Sequence, residues 1–195
     1  MGLAHEIRNP LGGIRGSAQL LRQDIKKKAH REYLDVVVNE VDRINLLVKR
    51  MMDLSKPVEL KLKDTNIHKV LEEILILEKE TFNRKNGRFQ QSYDPSLPPI
   101  EADEDQLKQV FLNLIKNAIE ASKDGGTLQI VTRLSSGFAI KTPTGSVPRQ
   151  SIAVEIIDSG EGMDEEMQKQ LFTPFHTTKN KGSGLGLAIS LKIVK

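Results

Sequence analysis

DEDQLKQVFLNLIKNAIEASKDGGTLQIVT, residues 103–132, passes from a helical to an extended pattern and sets the architecture around it. Leu107, Val110, Phe111, Leu114, Ile115 and Ala118 recur at helical spacing and form a broad apolar face, with Asp103 placed to cap the start. Gly125 and Gly126 end this helix, and Thr127–Thr132 reads as a strand. Downstream, Ser135–Gln150 contains Gly137, Pro143, Gly145 and Pro148 and reads as a hairpin excursion or a long surface loop, after which Ile152–Ile157 resumes as a strand. Upstream lie a helix over about Ile67–Arg84, a turn at Gly87 and a strand over Arg88–Tyr93 that Pro95, Pro98 and Pro99 end. This order predicts an α+β sandwich, with helices on one sheet face and no repeated βαβ unit.

The N-terminal third has another pattern. Leu34, Val37, Val41, Ile44, Val48 and Met51 alternate steps of three and four residues, as do Ile7, Leu11, Ile14, Ala18, Leu21 and Ile25. Two such helices, joined near residues 27–31, make a hairpin with two apolar stripes and little core of its own. A homodimer covers both by closing two hairpins into a four-helix bundle. Lys26–Arg31 reads as a helix end and turn, where cations suit the carbonyl-rich terminus. Pro10 lacks an amide donor and predicts a kink or loosening just after His5. Pro57 breaks the pattern, so the division expected is 1–56 for the hairpin, 57–66 for a linker and 67–195 for the second domain.

Length and composition fit this division, since 195 residues at 38% hydrophobic content support one domain or two small ones. With no Cys there is neither a disulfide framework nor thiolate chemistry, and no apolar run approaches the ~18 residues of a membrane span. The net charge of +3 is uneven: residues 1–56 hold 11 basic and 7 acidic side chains, the remainder 18 and 19. That excess suits steering of an acidic partner or a mixed solvated surface. Two Tyr, no Trp and no basic stripe with interleaved aromatics argue against a single-strand stacking surface.

Several residue groups carry candidate chemistry. Asn113 and Asn117 share one helix face among apolar neighbours, either as structural hydrogen-bonding groups or as oxygen ligands of Mg²⁺, with Lys116 and Glu120 close by. Asp158 follows a strand directly; it either closes a simple Asp-Gly turn or accepts a hydrogen bond from an exocyclic amine, with Gly160 and Gly162 letting the chain bend around a planar base. Phe172 and Phe175 are expected to anchor a mobile lid, and Lys179 to approach phosphates. Gly182, Gly184 and Gly186 precede a helix over Leu187–Val194, where backbone amides either cradle a polyphosphate or merely form a loop. This glycine run lacks the Lys-Ser/Thr ending of the common triphosphate loop and opens no dinucleotide-binding unit. His5 has Glu6 beside it and Asn9 one turn on: an ordinary solvated histidine, or a nucleophile whose ring nitrogen attacks a γ-phosphorus, with Asn9 positioning water for the reverse task. A metal site on the histidines at 5, 30, 68 and 176 is not supported by their spacing.

Together these residues resemble the bacterial sensor histidine kinases of two-component systems. His5–Leu11 resembles the phosphoacceptor box, Asn113–Ala118 the asparagine box, Asp158–Gly162 the first glycine box, Phe172–Phe175 the phenylalanine box and Gly182–Leu187 the second glycine box. Five motifs in family order span nearly the whole chain. Leu3–Gly16, Tyr93–Pro98 and the 135–150 excursion resemble the nitrogen-regulation sensors of the NtrB type.

The resemblance implies autophosphorylation of His5 from ATP in a cytoplasmic homodimer and transfer to an Asp of a response regulator, NtrC-like in the nitrogen case, with a small nitrogen-signalling protein as regulator. It implies a dimerising, phosphate-carrying hairpin joined to a gyrase-like ATP-binding α/β sandwich. That sandwich is expected to be incomplete at Lys195, since the family continues into further strands. Carried onto this sequence, Asn117 and Asn113 hold Mg²⁺ and Asp158 reads adenine. Lys116, Gly160, Gly162, Phe172, Lys179, Gly182, Gly184, Gly186 and Leu187 bound the nucleotide. Glu6 is the base of the kinase step and Asn9 the water-positioning group of phosphatase activity. The alternatives are an ATPase without phosphohistidine and a dimeric phosphatase or scaffold with a regulatory nucleotide pocket.

Overall fold

A computed structural model describes residues 2–55, 59–142, 145–177 and 182–194. The chain divides into two units, Met1–Pro57 with Thr173–Ile189 and Val58–Phe172 with Ser190–Lys195.

In the first unit the heptad-like stripes form two long helices, α1 (Gly2–Asp24) and α2 (Lys28–Ser55). Arg15 pairs with Asp42 at 2.8 Å and Arg22 with Asp35 at 2.5 Å, so partners step backward along α2 as they step forward along α1, and the helices are antiparallel. These pairs are solvent-exposed and worth ~0–1 kcal/mol each, so they serve register more than stability. The stripe on α1 splits by sevens: Leu11 and Ala18 are buried, whereas Ile7, Ile14 and Leu21 remain exposed. On α2 Val41 is buried, and Val37 and Met51 are open.

The turn between the helices is Ile25–Lys27, not 27–31. Arg31 explains the shift, because its Nε donates to the Ile25 carbonyl at 2.6 Å and closes the end of α1 from the first turn of α2. The basic run is thus mostly the start of α2. The helix runs on through Pro10 without a break; the missing amide removes only the bond to the Glu6 carbonyl.

The second unit begins with β1 (Lys63–Thr65) and α3 (Ile67–Asn83), the latter capped by Asn66, whose side chain accepts from the His68 and Lys69 amides. Then come β2 (Arg88–Ser92), β3 (Ile100–Ala102), α4 (Glu104–Ala121), β4 (Thr127–Thr142) and β5 (Gly145–Ile157). A short α5 (Glu165–Gln170) follows, capped by Asp164; α6 (Gly186–Val194) has its residues up to Ile189 in the first unit and those from Ser190 on in the second. Sequence patterning misses β3 and α5, three and six residues long, because elements so short show no full period. The 135–150 excursion is a hairpin: β4 and β5 pair antiparallel from Gln129↔Ile157 to Thr142↔Gly145, with a register shift between Ser135 and Phe138.

The main sheet has the order β2-β4-β5, and β2 lies parallel to β4 with α4 in the crossover between them. One such crossover occurs, not a repeated series. β1 pairs antiparallel with β3 in a separate two-stranded sheet. The core is formed by Leu71, Ile74 and Phe82 of α3, Phe111 and Ile115 of α4, and Leu128 and Ile130 of β4, all buried. An α+β sandwich with its helices packed on an open sheet is therefore what the alternation of patterns produces.

Asp103 fastens the start of α4. Its Oδ1 accepts from the Gln106 amide at 3.1 Å, and its Oδ2 accepts from the Lys61 amide at 2.8 Å, drawing the segment before β1 onto the helix. Next to it Glu104 binds Lys63 at 2.6 Å and Lys108 at 2.7 Å, and Lys108 also reaches Glu73 of α3 at 2.6 Å. The Lys61 amide, and after it the Gln106 amide, holds the Asp103 carboxyl below its ordinary value. Lys108, and then Lys63, holds Glu104 down to about 2. A carboxyl depressed in the folded state stabilises above its unfolded value of about 4 and loses that contribution as pH falls through the folded value. Asp103→Asn keeps an acceptor for the Gln106 amide but loses the one facing the Lys61 amide, so it should lower unfolding free energy by about 1 kcal/mol near neutral pH, and urea titrations should show the gap to the parent closing below about pH 4.

Candidate functional site

The rotation of α4 about its axis decides which of its residues can meet a ligand. Phe111, Ile115, Ala118 and Ile119 enter the core, so Asn113 and Asn117 are half-buried on a neighbouring flank and Lys116 is exposed. Asn113 Nδ2 donates to Ser190 Oγ of α6 at 3.3 Å, and Ser190 is buried. Lys116 Nζ lies 3.5 Å from Glu78 Oε1 of α3. Glu78 is only 5% exposed, so the lysine supplies the countercharge that a carboxylate needs in such a place.

Among the described residues no group of three or more His, Asp or Glu is placed to hold a metal ion. A divalent cation on this face would rely on amide oxygens. Asn113 and Asn117, one turn apart, fit Mg²⁺ in donor chemistry: both offer hard neutral oxygens, and Mg²⁺ takes few protein ligands and completes its octahedron with water and phosphate. The Ser190 contact orients the Asn113 amide by its nitrogen end.

The loop after β5 meets the other end of α4. Asp158 is exposed, and its Oδ1 accepts from the Gly160 amide at 2.8 Å in a tight side-chain turn. Gly160 lies against the last turn of α4, where a Cβ would come 2.8 Å from the Ala121 carbonyl oxygen. Gly162 has φ +77° with open space around it, so its requirement is conformational. Gly160 thus rests on α4 one helical turn beyond Asn117, within a single unit.

Of the remaining candidates Phe172 is the last residue of the second unit's Val58–Phe172 segment, and the others belong to the first unit. His5, Glu6 and Asn9 are all exposed on α1, and His5 and Asn9 share a face. In Thr173–Ile189 the backbone crosses itself closely: the Phe175 amide donates to the Gly184 carbonyl at 3.1 Å. Gly184 has φ +63°, and a Cβ there would lie 2.5 Å from the Phe175 carbonyl carbon. Phe172 and Phe175 are not buried anchors, being 46% and 56% exposed. Leu185, Ala188 and Ile189 are the buried apolar residues of this segment, and the Phe175–Gly184 crossing holds the loop by backbone and leaves the rings outside. Gly182, Gly186 and Leu187 are half-buried at the entry to α6. Lys179 lies outside the described residues.

Sequence reading passed over two residues that hold this site. Glu78 occupies a core position in the apolar series Leu71, Ile74, Leu75, Phe82, and that misplaced acid was the available signal. Ser190 carries no local signal, since its role depends on Asn113, 77 residues away.

Comparison with known proteins follows the division of motifs. Residues 1–59 match the His Kinase A (phospho-acceptor) domain and residues 102–195 the histidine kinase-, DNA gyrase B- and HSP90-like ATPase family. The chain is 42% identical over 194 residues to the sensory histidine kinase/phosphatase NtrB of Azospirillum brasilense, covering 98% of this chain and 48% of that protein. It is 38% identical over 193 residues to the signal transduction histidine-protein kinase AtoS of Escherichia coli K12, covering 99% of this chain and 30% of that protein. Among solved structures it resembles histidine kinase ThkA, crystallised in complex with response regulator protein TrrA, with a TM-score of 0.66, 29% identity, and coverage of 98% of this chain and 52% of that one. The chain thus spans about half or less of the length of these relatives.

Three glycines should separate by mechanism. Gly162→Ala should cost ~1 kcal/mol, the strain of a left-handed backbone in open space. Gly160→Ala must displace backbone without that strain, Gly184→Ala must displace backbone in addition to it, and both should cost about 1–3 kcal/mol. Thermal denaturation ranks the three, and calorimetric ATP titration should show Gly160→Ala binding more weakly than Gly162→Ala.

Proposed function

The chain belongs to the histidine kinases of bacterial two-component systems, and on that footing we propose that it is the catalytic core of an ATP-dependent kinase whose phosphoacceptor is His5. The observation that carries this reading is the exposed His5 with Glu6 beside it and Asn9 one turn on, in a hairpin matched by the phospho-acceptor domain. An ATPase-type domain follows in the same chain and accounts for the nucleotide.

In the proposed reaction a ring nitrogen of His5 attacks the γ-phosphorus of ATP. The bond from that phosphorus to the bridging oxygen breaks, and ADP leaves with the oxygen. Glu6 takes the ring proton as the new N–P bond forms. The N–P bond then breaks as the phosphoryl group passes to a carboxylate oxygen of an Asp on the response regulator, and a proton returns to the ring, restoring imidazole. Asn113 and Asn117 hold Mg²⁺, which when bound offsets phosphate charge. In this proposal Asp158 accepts from the exocyclic amine of adenine, and the amides around Gly182, Gly184 and Gly186 are the phosphate donors. Lys116, Gly160, Gly162, Phe172, Lys179 and Leu187 are the further nucleotide-binding residues of this proposal. The phosphotransfer hairpin is residues 1–56, joined through 57–66 to the ATP-binding domain, 67–195.

A second copy of the chain is the proposed cover for Ile7, Ile14 and Leu21, the half of the α1 stripe that α2 leaves open. The proposed partner is an NtrC-like response regulator in the cytoplasm, with a small nitrogen-signalling protein as regulator. The NtrB relatives support the nitrogen assignment, and the match to AtoS makes regulator preference the measurement that decides it. Exposed Asn9 supports a second activity, positioning water for removal of phosphate from the regulator.

Incubation with γ-labelled ATP and Mg²⁺ should produce an acid-labile, base-stable phosphoprotein. His5→Gln should abolish the label, and equal labelling would remove His5 as acceptor. Asn117→Ala should reduce labelling by about 10–100-fold through weaker metal placement. Asn9→Ala should retain autophosphorylation while slowing dephosphorylation of a phosphorylated regulator. Regulator loss that depends on Asn9 in a protein never labelled at His5 would favour the phosphatase or scaffold reading.

A further inference from the structure

Lys85 lies outside all five motifs, in the turn between α3 and β2, yet its Nζ reaches the C-terminal end of α4. It donates to the carbonyls of Ile119 at 3.0 Å, Glu120 at 3.3 Å and Ser122 at 3.1 Å. The Lys85 carbonyl in turn accepts from the Gly125 amide at 2.7 Å, closing the same junction through backbone. An ammonium group has three donors, and the last carbonyls of a helix lack intrahelical partners and carry the negative end of its dipole. The carbonyl between those that Lys85 binds, Ala121, is the one against which Gly160 rests. A second contact joins the same regions, because a Cβ on Gly126 would lie 2.4 Å from Ser159 Oγ.

We propose that Lys85 is a positioning residue for nucleotide recognition: it clamps the last turn of α4 into a platform on which the Asp158–Gly162 loop is seated, and so sets where the Asp158 carboxylate stands. The inference rests on the reading of Asp158 as the adenine acceptor. It makes the first glycine box dependent on a lysine that touches neither nucleotide nor loop. Asp158 is already tied to Gly160 by its side-chain turn, so a shift of Gly160 on Ala121 is transmitted directly to the carboxylate.

The test compares Lys85→Met, which keeps the apolar stem, with Lys85→Gln, which keeps two N–H donors without the charge, and Lys85→Arg, which keeps the charge. Hydrogen exchange on the ligand-free chain reads the platform. Lys85→Met should speed exchange across residues 158–162 by about tenfold, with the buried β4 amides of Leu128 and Ile130 unchanged, Lys85→Gln intermediate and Lys85→Arg near the parent. Calorimetric titration with ATP and GTP reads the consequence. ATP affinity should fall by about five- to twentyfold, GTP affinity should fall less, and Asp158→Ala should abolish any further effect of Lys85→Met. Unchanged exchange at 158–162 in Lys85→Met, or faster exchange spread equally over Leu128 and Ile130 in all three variants, overturns the proposal. So does a loss of affinity that is equal for ATP and GTP and additive with Asp158→Ala. An Asp158→Ala variant that keeps full preference for ATP refutes the adenine reading alone, and the exchange comparison still decides whether Lys85 seats the loop.

Discussion

The larger unit depends on the burial of one face of α4 against the sheet. Phe111, Ile115 and Ile119 meet a core that includes Leu128 and Ile130, and each large side chain removed from water contributes about 1.5–3 kcal/mol. No rotation of the helix that exposed these residues would recover that loss by polar contacts, which are worth about 1 kcal/mol each. The apolar face therefore dictates where the polar one goes. Asn113 and Asn117 become half-buried groups at the margin of the core rather than solvated ones, and each needs a polar neighbour in the folded chain.

The same helix is held at both ends by groups of the appropriate charge. Asp103 accepts amides at its N-terminus and Lys85 donates to carbonyls at its C-terminus, complementing the macrodipole from each side. Neither contact is purely local. Asp103 also gathers the Lys61 amide, and Lys85 comes from the turn after α3. Fixing both ends leaves α4 little freedom to slide on the sheet, which fixes the places of Asn113 and Asn117, one turn apart on it.

The hairpin works under a different constraint. Two helices alone can cover only part of two heptad stripes, and the row Leu11 and Ala18 is enclosed while Ile7, Ile14 and Leu21 stay open. His5 and Asn9 are exposed near the start of the same helix, where solvent, a nucleotide or a carboxylate of another protein can reach the imidazole. An apolar environment there would oppose the charged groups of the proposed phosphoryl transfer.

Much of the architecture was legible in the residues. The period of Leu107–Ala118, the cap at Asp103 and the glycine pair after the helix act within a few positions along the chain, and the structure has a helix from Glu104 to Ala121 and a strand from Thr127. The hairpin stripes, the change of pattern at Pro57 and the five motifs were readable for the same reason, since residue type and spacing are enough to state them. The parallel insertion of β2 beside β4, the pairing of β1 with β3, the partner of Asn113 and the hold of Lys85 on α4 were not. Those contacts join residues about 35 to 77 positions apart, and a local pattern carries no record of which distant segment arrives beside it. Sequence alone determined which residues were available for chemistry and the helices or strands that would carry them. Only the tertiary structure decided how α4 is rotated, what grips its ends and which glycine must lie against Ala121, because packing a shared core selects one arrangement among many that satisfy every local preference.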